Sequence, residues 1–251
     1  MTLISSANSG GLGERPLEGR VALVTGGSRG IGKAIVGKLA ALGAAVSFCG
    51  LNGERLRNTV RELESPGAKV LALRADVTSE KDIAALVAST EKQLGGISIL
   101  VNNAGIGGVG FGPIQEKTEA EWDQVMNTNL KSVFFVSRAV IPGMIARRGG
   151  DIINISSLAG KNTFAGGGIY CTSKWGLQGL TGCMAEDLRA YGIRVSAICP
   201  GSVATEFVGR SPKDPSKVLT SGDVAHAVAM VAAQGPQSFI SEVHLRPVAK
   251  P

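Results

Sequence analysis

A glycine-rich turn, Thr25-Gly26-Gly27-Ser28-Arg29-Gly30-Ile31-Gly32, follows the apolar run Val21-Ala22-Leu23-Val24 and opens a helix-like stretch from Ile31 to Leu42. A second apolar run, Ala45-Val46-Ser47-Phe48-Cys49, comes next. The order is β-α-β, and parallel strands joined through helices can be buried only in a sheet covered on both faces. Glycines at 26, 30 and 32 permit a tight turn and let backbone approach an anion at a helix N-terminus. Alone, such a loop could be an ordinary turn. Between the first strand and first helix of a βαβ unit it points to a dinucleotide. The Gly-x-x-x-Gly-x-Gly spacing differs from the common Gly-x-Gly-x-x-Gly pattern, and the absence of a Gly-Lys-Ser/Thr ending disfavours a phosphate-hydrolysing P-loop.

The same rhythm runs on through Lys69 to Leu73, a helix from about Ser79 to Leu94, and Ile97-Ser98-Ile99-Leu100-Val101. Further strand candidates are Asp151 to Ile155, Arg194 to Ile198 and Phe239 to Leu245. Their apolar runs mostly do not alternate, as in strands buried on both faces. The expected fold is a doubly wound, Rossmann-type, mostly parallel α/β sheet in a single domain spanning 19–251, preceded by a flexible leader at 1–18 that is rich in Ser, Gly and Asn. A long helix is expected from Glu119 to Arg147, bent at Pro142 and ended by Arg147-Arg148-Gly149. The helix following Tyr170 carries Gly176, Gly179 and Gly182, each costing up to about 1 kcal/mol relative to alanine. Close packing must compensate, and a second subunit could supply it; a dimer or tetramer is expected.

Composition narrows the function classes. The formal charge is +6, from 26 Lys+Arg against 20 Asp+Glu, which favours anionic ligands. The basic residues are scattered and only 4% of residues are aromatic, so neither a nucleic-acid stripe nor a base-stacking platform is evident. Cys49, Cys171, Cys183 and Cys199 show no Cys-x-x-Cys pairing and read as free thiols of a reducing compartment. His226 and His244 have no ligand partner at characteristic spacing, so no metal site is expected. No apolar run approaches the roughly 18 residues that span a bilayer. A soluble, cytoplasmic protein follows as the default.

Tyr170-Cys171-Thr172-Ser173-Lys174 places a phenol and an ammonium on one helix face. A tyrosine acting near neutrality needs roughly 4 kcal/mol of phenolate stabilisation. An ammonium about 4 Å away supplies that much at an effective dielectric near 20. By spacing alone, an unrelated tyrosine and lysine remain the plainer reading.

Thr25 to Gly32, Asn102-Asn103-Ala104-Gly105, Ser157, Tyr170-x-x-x-Lys174 and Pro200-Gly201, in this order and over nearly all of 19–247, resemble the short-chain dehydrogenase/reductase family. The SerArg-containing glycine loop makes the chain most similar to its 3-oxoacyl-acyl-carrier-protein reductases. The resemblance implies hydride transfer between a nicotinamide and a carbonyl, with Tyr170 as proton donor. It also implies that Lys174 lowers the tyrosine pKa and binds the nicotinamide ribose, that Ser157 bonds the carbonyl oxygen, and that Asn129 holds a water in a proton relay. Cofactor contacts are implied for Gly26, Ser28, Arg29, Gly30, Ile31 and Gly32 at the phosphates. Asp76 and Val77 would meet the adenine end, Asn103, Ala104 and Gly105 its ribose, and Pro200, Gly201, Val203 and Thr205 the nicotinamide. A strand-ending Asp, a tight turn and a plain post-strand turn are the respective alternatives.

Phe48-Cys49-Gly50-Leu51-Asn52 lacks the acid that accepts from a ribose 2′-hydroxyl, and Arg29 could meet a 2′-phosphate, so NADP(H) is the expected coenzyme. Leu51 stands where many NADP-dependent relatives carry arginine; Asn52 or Arg55 could substitute. The partner is a small carbonyl or alcohol substrate, which an acidic carrier protein could deliver to the basic surface. The segment from Phe207 to Val218, where a lid would sit, is short. The tail Val243-His244-Leu245-Arg246-Pro247 departs from the Asp-Gly-Gly ending of those reductases, leaving another ketone, a sugar, a steroid or a quinone open. A non-catalytic coenzyme-binding protein is the alternative of a different class.

Overall fold

The computed structural model describes residues 15–65, 67–205, 207, 214 and 217–249. Its centre is a seven-stranded sheet built from β1 (Val21–Val24), β2 (Ala45–Gly50), β3 (Val70–Arg74), β4 (Ile99–Asn102), β5 (Gly150–Ile155), β6 (Ile193–Pro200) and β7 (Glu242–Leu245). All pairings are parallel, in the order β3-β2-β1-β4-β5-β6-β7. Each residue of β1 and β4 is buried, which is why these runs are continuously apolar rather than alternating. Strand order reverses between β1 and β4, so a crevice opens beyond their carboxyl ends.

Helices α1 (Gly30–Ala41), α2 (Gly53–Leu63), α3 (Glu80–Leu94), α4 (Glu119–Met126), α5 (Ser132–Arg147), α6 (Gly168–Leu188) and α7 (Ser221–Ala232) cover the sheet. One core layer joins α1 and α7 to Val24, Phe48, Val101 and Ile153; the other joins α3, α5 and α6 to Leu23, Leu100, Ile152 and Val195. Each fully buried aliphatic side chain contributes about 1.5–3 kcal/mol. This is the expected doubly wound, single-domain α/β architecture. Where the strands begin, Asp151 takes Arg20 Nη2 at 2.8 Å and Arg194 Nε at 2.7 Å, fastening β1, β5 and β6.

Several boundaries differ from the sequence reading. Residues 15–18, assigned to the leader, form a turn in which Leu17 is only 1% exposed and its N–H bonds Leu42 O, so the folded body begins before Gly19. The rest of the leader lies outside the described residues. The helix expected from Glu119 to Arg147 is divided at Asn127–Lys131, where the backbone widens into one π turn; Pro142 sits within α5. Arg148, not Gly149, takes the left-handed cap conformation, at φ 52° and ψ 48°. Helices α2 and α7, not singled out from the sequence, start at the side-chain caps Asn52 and Thr220. In α6, an added Cβ on Gly176 would meet Leu130 at 2.8 Å, whereas Gly179 and Gly182 have nothing within 4 Å.

Candidate active site

The loop after β1 is held from beneath. Thr25 Oγ1 accepts from the N–H groups of Asn103 and Ala104, both at 3.0 Å, while Asn103 Nδ2 donates to Thr25 O at 2.9 Å and Gly26 O at 3.1 Å. Gly26 and Gly30 have φ of 65° and 51°, which side chains rarely adopt. Gly32 has an ordinary φ, yet a Cβ there would lie 2.1 Å from Gly26 O. The turn therefore delivers the N-terminus of α1 to the crevice. The N-cap side chain of α1 makes no capping bond and the first turn holds no acid, so neither offsets the positive end of this helix. A dinucleotide pyrophosphate fits this cradle. Thr25, the brace of the whole loop, heads the glycine motif in the sequence but is given no role there; its place after a buried strand was the available signal.

Around the opening of β2 and β3, Leu51, Asn52, Arg55, Asp76 and Val77 line the same cleft as Arg29. Asn52 Oδ1 accepts from Arg55 N at 2.9 Å, so this side chain caps α2. Asp76 Oδ1 accepts from Thr78 N at 2.8 Å and Thr78 Oγ1 at 2.7 Å, the strand-ending turn that its residue type suggests. Gly50 admits Ser28: a Cβ would stand 2.9 Å from its Oγ.

At the other end, β5 delivers Ser157 and α6 delivers Tyr170 and Lys174. Ser157 Oγ accepts from Ala159 N at 3.1 Å, donates to Pro200 O at 3.4 Å and lies close enough to the Tyr170 phenol to oppose its upward shift. Its neighbour Ser156 is buried and accepts from Gln178 Nε2 at 3.2 Å, so the two adjacent serines have different partners. Lys174 Nζ donates to Ile155 O at 2.9 Å and stands 5.9 Å from the Tyr170 ring centroid. Burial pushes the Tyr170 phenol up to about 12, with the Ser157 hydrogen bond opposing it, and pushes Lys174 down to about 8. The expected lowering of the tyrosine by the lysine is thus corrected. The ammonium is turned to a strand-end carbonyl, and desolvation dominates both groups.

Asn129 sits in the π turn, with Oδ1 accepting from Ile106 N at 2.8 Å and Nδ2 donating to Ile106 O at 2.9 Å and Ser173 Oγ at 3.2 Å. It ties the loop after β4 to α6 and is the one sequence-selected site residue absent from the cleft wall. Beneath it, Asn102 Nδ2 donates to Asn154 Oδ1 at 2.9 Å, and Asn154 Nδ2 to Thr181 Oγ1 at 2.9 Å, locking β4, β5 and α6. Pro200, Gly201, Val203 and Thr205 line the same cleft, and Thr205 reaches the glycine loop, its Cγ2 coming 3.5 Å from where a Gly30 Cβ would be.

All the other selected residues share one cleft of about 2030 Å³. That exceeds the roughly 300–1,000 Å³ of a drug-sized pocket, room for an extended ligand and a second molecule. Sequence reasoning missed its aromatic wall: Phe111 meets the Tyr170 ring edge-on at 5.3 Å, Phe207 at 6.1 Å, and Phe164 packs on Phe111 at 5.9 Å. Arg246 and Pro247 of the tail line it too. Most of the lid segment after Phe207 lies outside the described residues.

This fold and site define a class. Residues 20–216 match the family model described as short chain dehydrogenase. The chain is 37% identical over 231 residues to 2-(R)-hydroxypropyl-CoM dehydrogenase of Xanthobacter autotrophicus, covering 86% of this chain and 92% of the relative. It is 37% identical over 203 residues to a 3-oxoacyl-[acyl-carrier-protein] reductase of Pseudomonas aeruginosa, covering 81% of each. A solved metagenomic short-chain oxidoreductase in complex with NADP superposes with a TM-score of 0.82 at 43% identity, covering 94% of this chain and 100% of that one. The chain belongs to the short-chain dehydrogenase family.

Proposed function

We propose that this protein is an NADP(H)-dependent oxidoreductase that reduces a ketone, with a 3-oxoacyl thioester as the first substrate to test and Tyr170 as the proton donor. The observation that carries this reading is the meeting of the Tyr170 phenol, the Ser157 hydroxyl and the Lys174 ammonium in the cleft that receives the uncapped N-terminus of α1. Bound NADPH supplies a hydride to the carbonyl carbon. The phenol, protonated across the neutral range, gives its proton to the carbonyl oxygen, and Ser157 donates a hydrogen bond to that oxygen. Lys174 keeps positive charge behind the phenol as phenolate develops and holds the ribose. Asn129 positions the Ile106 loop and Ser173 rather than touching the reacting atoms. The α1 amides with Gly26 to Gly32 hold the phosphates, Asp76 to Val77 and Asn103 to Gly105 the adenosine half, and Pro200 to Thr205 the nicotinamide.

An acidic carrier would suit the formal charge of +6. Phe134, Trp175 and the open Gly179 and Gly182 give the α5–α6 side an exposed apolar face suited to a second copy. Among the described residues no helix is long and apolar enough to cross a membrane. The direct test is oxidation of NADPH against a panel of ketones that includes an acyl thioester. Consumption with at least one of them is expected; binding of coenzyme without turnover of any would favour the non-catalytic reading.

Two further outcomes follow. Arg29→Ala is expected to weaken NADPH by about ten- to hundredfold, the worth of a charge-assisted bond, and to change NADH little. Equal weakening of both in a fluorescence titration rejects the 2′-phosphate role. The pH profile has a definite sign. Lys174, lowered to about 8, is charged below that pH and neutral above it. Reduction should therefore fall about tenfold per unit as pH rises beyond about 8, while oxidation of the alcohol, which needs a proton acceptor, gains. A reduction rate flat to pH 9.5 contradicts this.

A further inference from the structure

Outside the cleft, the sheet gathers metal-ligand side chains that sequence spacing does not announce. Cys199 of β6 and His244 of β7 are register partners, and Glu242 lies two residues before His244 on the same strand face. One ligand atom from each lies within 4.8 Å of the others. Cys199 Sγ is 3.2 Å from Glu242 Oε1, and His244 Nε2 is 3.1 Å from that oxygen. A tetrahedral ion holding sulfur at about 2.3 Å and nitrogen and oxygen at about 2.0–2.1 Å sets its ligands about 3.3–3.6 Å apart. Both separations stand within a few tenths of an ångström of such an arrangement, before any ion draws the groups into place.

We propose that Cys199, Glu242 and His244 form a three-ligand site for a borderline-soft divalent cation, Zn²⁺ foremost, with the fourth position open to water. One sulfur, one nitrogen and one carboxylate oxygen are a poor set for Mg²⁺ or Ca²⁺, which take oxygen donors. Cys199 is buried, whereas the side chains of Glu242 and His244 are 30% and 43% exposed, so an ion has an entry side. The neighbours are a cation and an amide: Lys161 Nζ is 2.9 Å from Glu242 Oε1 and Gln178 Nε2 2.9 Å from Cys199 Sγ. Lys161, 35% exposed on a long flexible stem, competes with the ion and swings to solvent when it binds. On ligation the Cys199 thiol releases its proton to solvent. The site joins the carboxyl ends of β6 and β7, where Pro200, Gly201, Arg246 and Pro247 line the cleft. A bound ion stiffens that wall and takes no part in proton transfer.

The test uses the full chain, free of any affinity tag and stripped with chelator, titrated with Co²⁺ and then Zn²⁺. Expected are tetrahedral d–d absorption, a thiolate-to-cobalt charge-transfer band, displacement of both by one equivalent of Zn²⁺, and a melting temperature that rises with Zn²⁺. Cys199→Ser should abolish the charge-transfer band, and His244→Gln should weaken binding by at least about 10–100-fold, the loss that supporting groups alone produce. Lys161→Met should tighten binding severalfold by removing the competing cation. If Cys199→Ser fails to fold by circular dichroism, the exposed His244 and Lys161 variants decide. Absence of a charge-transfer band, its survival in Cys199→Ser, or Zn²⁺ binding indifferent to His244→Gln and Lys161→Met overturns the proposal.

Discussion

Tyr170→Phe should lower the rate of ketone reduction by about 10²–10⁴-fold while NADPH affinity changes little. The change removes one hydroxyl from a residue 8% exposed and leaves its ring packed edge-on to Phe111 and Phe207. The fold has no reason to respond, so circular dichroism and the melting temperature should match the parent. What disappears is the donor that a general-acid step requires, and that range is the usual worth of positioned proton transfer. Burial holds this phenol up near 12, so it is a donor at every working pH and becomes an acceptor only when charge is supplied nearby. Unchanged turnover in the mutant would sink the proposed acid.

Gly32→Ala should be nearly as severe, but through binding. The added Cβ would lie 2.1 Å from the carbonyl oxygen of Gly26 and 2.5 Å from Asn103 Nδ2, and backbone cannot yield as a flexible side-chain tip can. The turn must open, which breaks the two bonds from Asn103 and displaces the α1 N-terminus from the phosphate position. Loss of NADPH affinity by about 100-fold or more is expected, with overpacking costing about 1–3 kcal/mol of stability. Gly235→Ala is the control: nothing lies within 4 Å of its added Cβ, and binding should be unaffected. Equal NADPH affinity in Gly32→Ala and the parent protein contradicts the assignment of this loop.

What could be read from the chain was local. The β1-loop-α1 unit announces itself by an apolar run, glycines at 26, 30 and 32 and a helix, all between Val21 and Ala41, and Tyr170 and Lys174 by a single helical turn. Orientation across elements was not local. That Lys174 would donate to Ile155 O, leaving desolvation to set the tyrosine, depends on where β5 ends relative to α6. That Asn129 would spend both ends of its amide on Ile106 and Ser173 depends on a π turn that no residue pattern in Glu119 to Arg147 marks. Helix α7 was overlooked because its alanines and valines make a weak amphipathic pattern, although the Thr220 to Asp223 capping box was there to be found. The aromatic wall and the Cys199–Glu242–His244 group come from segments distant in sequence, and only the sheet order brings them together.

Hydride transfer from NADPH to a ketone carbon in this cleft can be followed by isotope. The most direct measurement is incubation of the enzyme with NADPH deuterated at C4 of the nicotinamide, on each face in turn, and a ketone that supports coenzyme consumption. Mass spectrometry of the alcohol should find one deuterium at the carbinol carbon with one labelled face and none with the other. Unlabelled alcohol from both cofactors, or tightly bound NADPH that no ketone consumes, would contradict it.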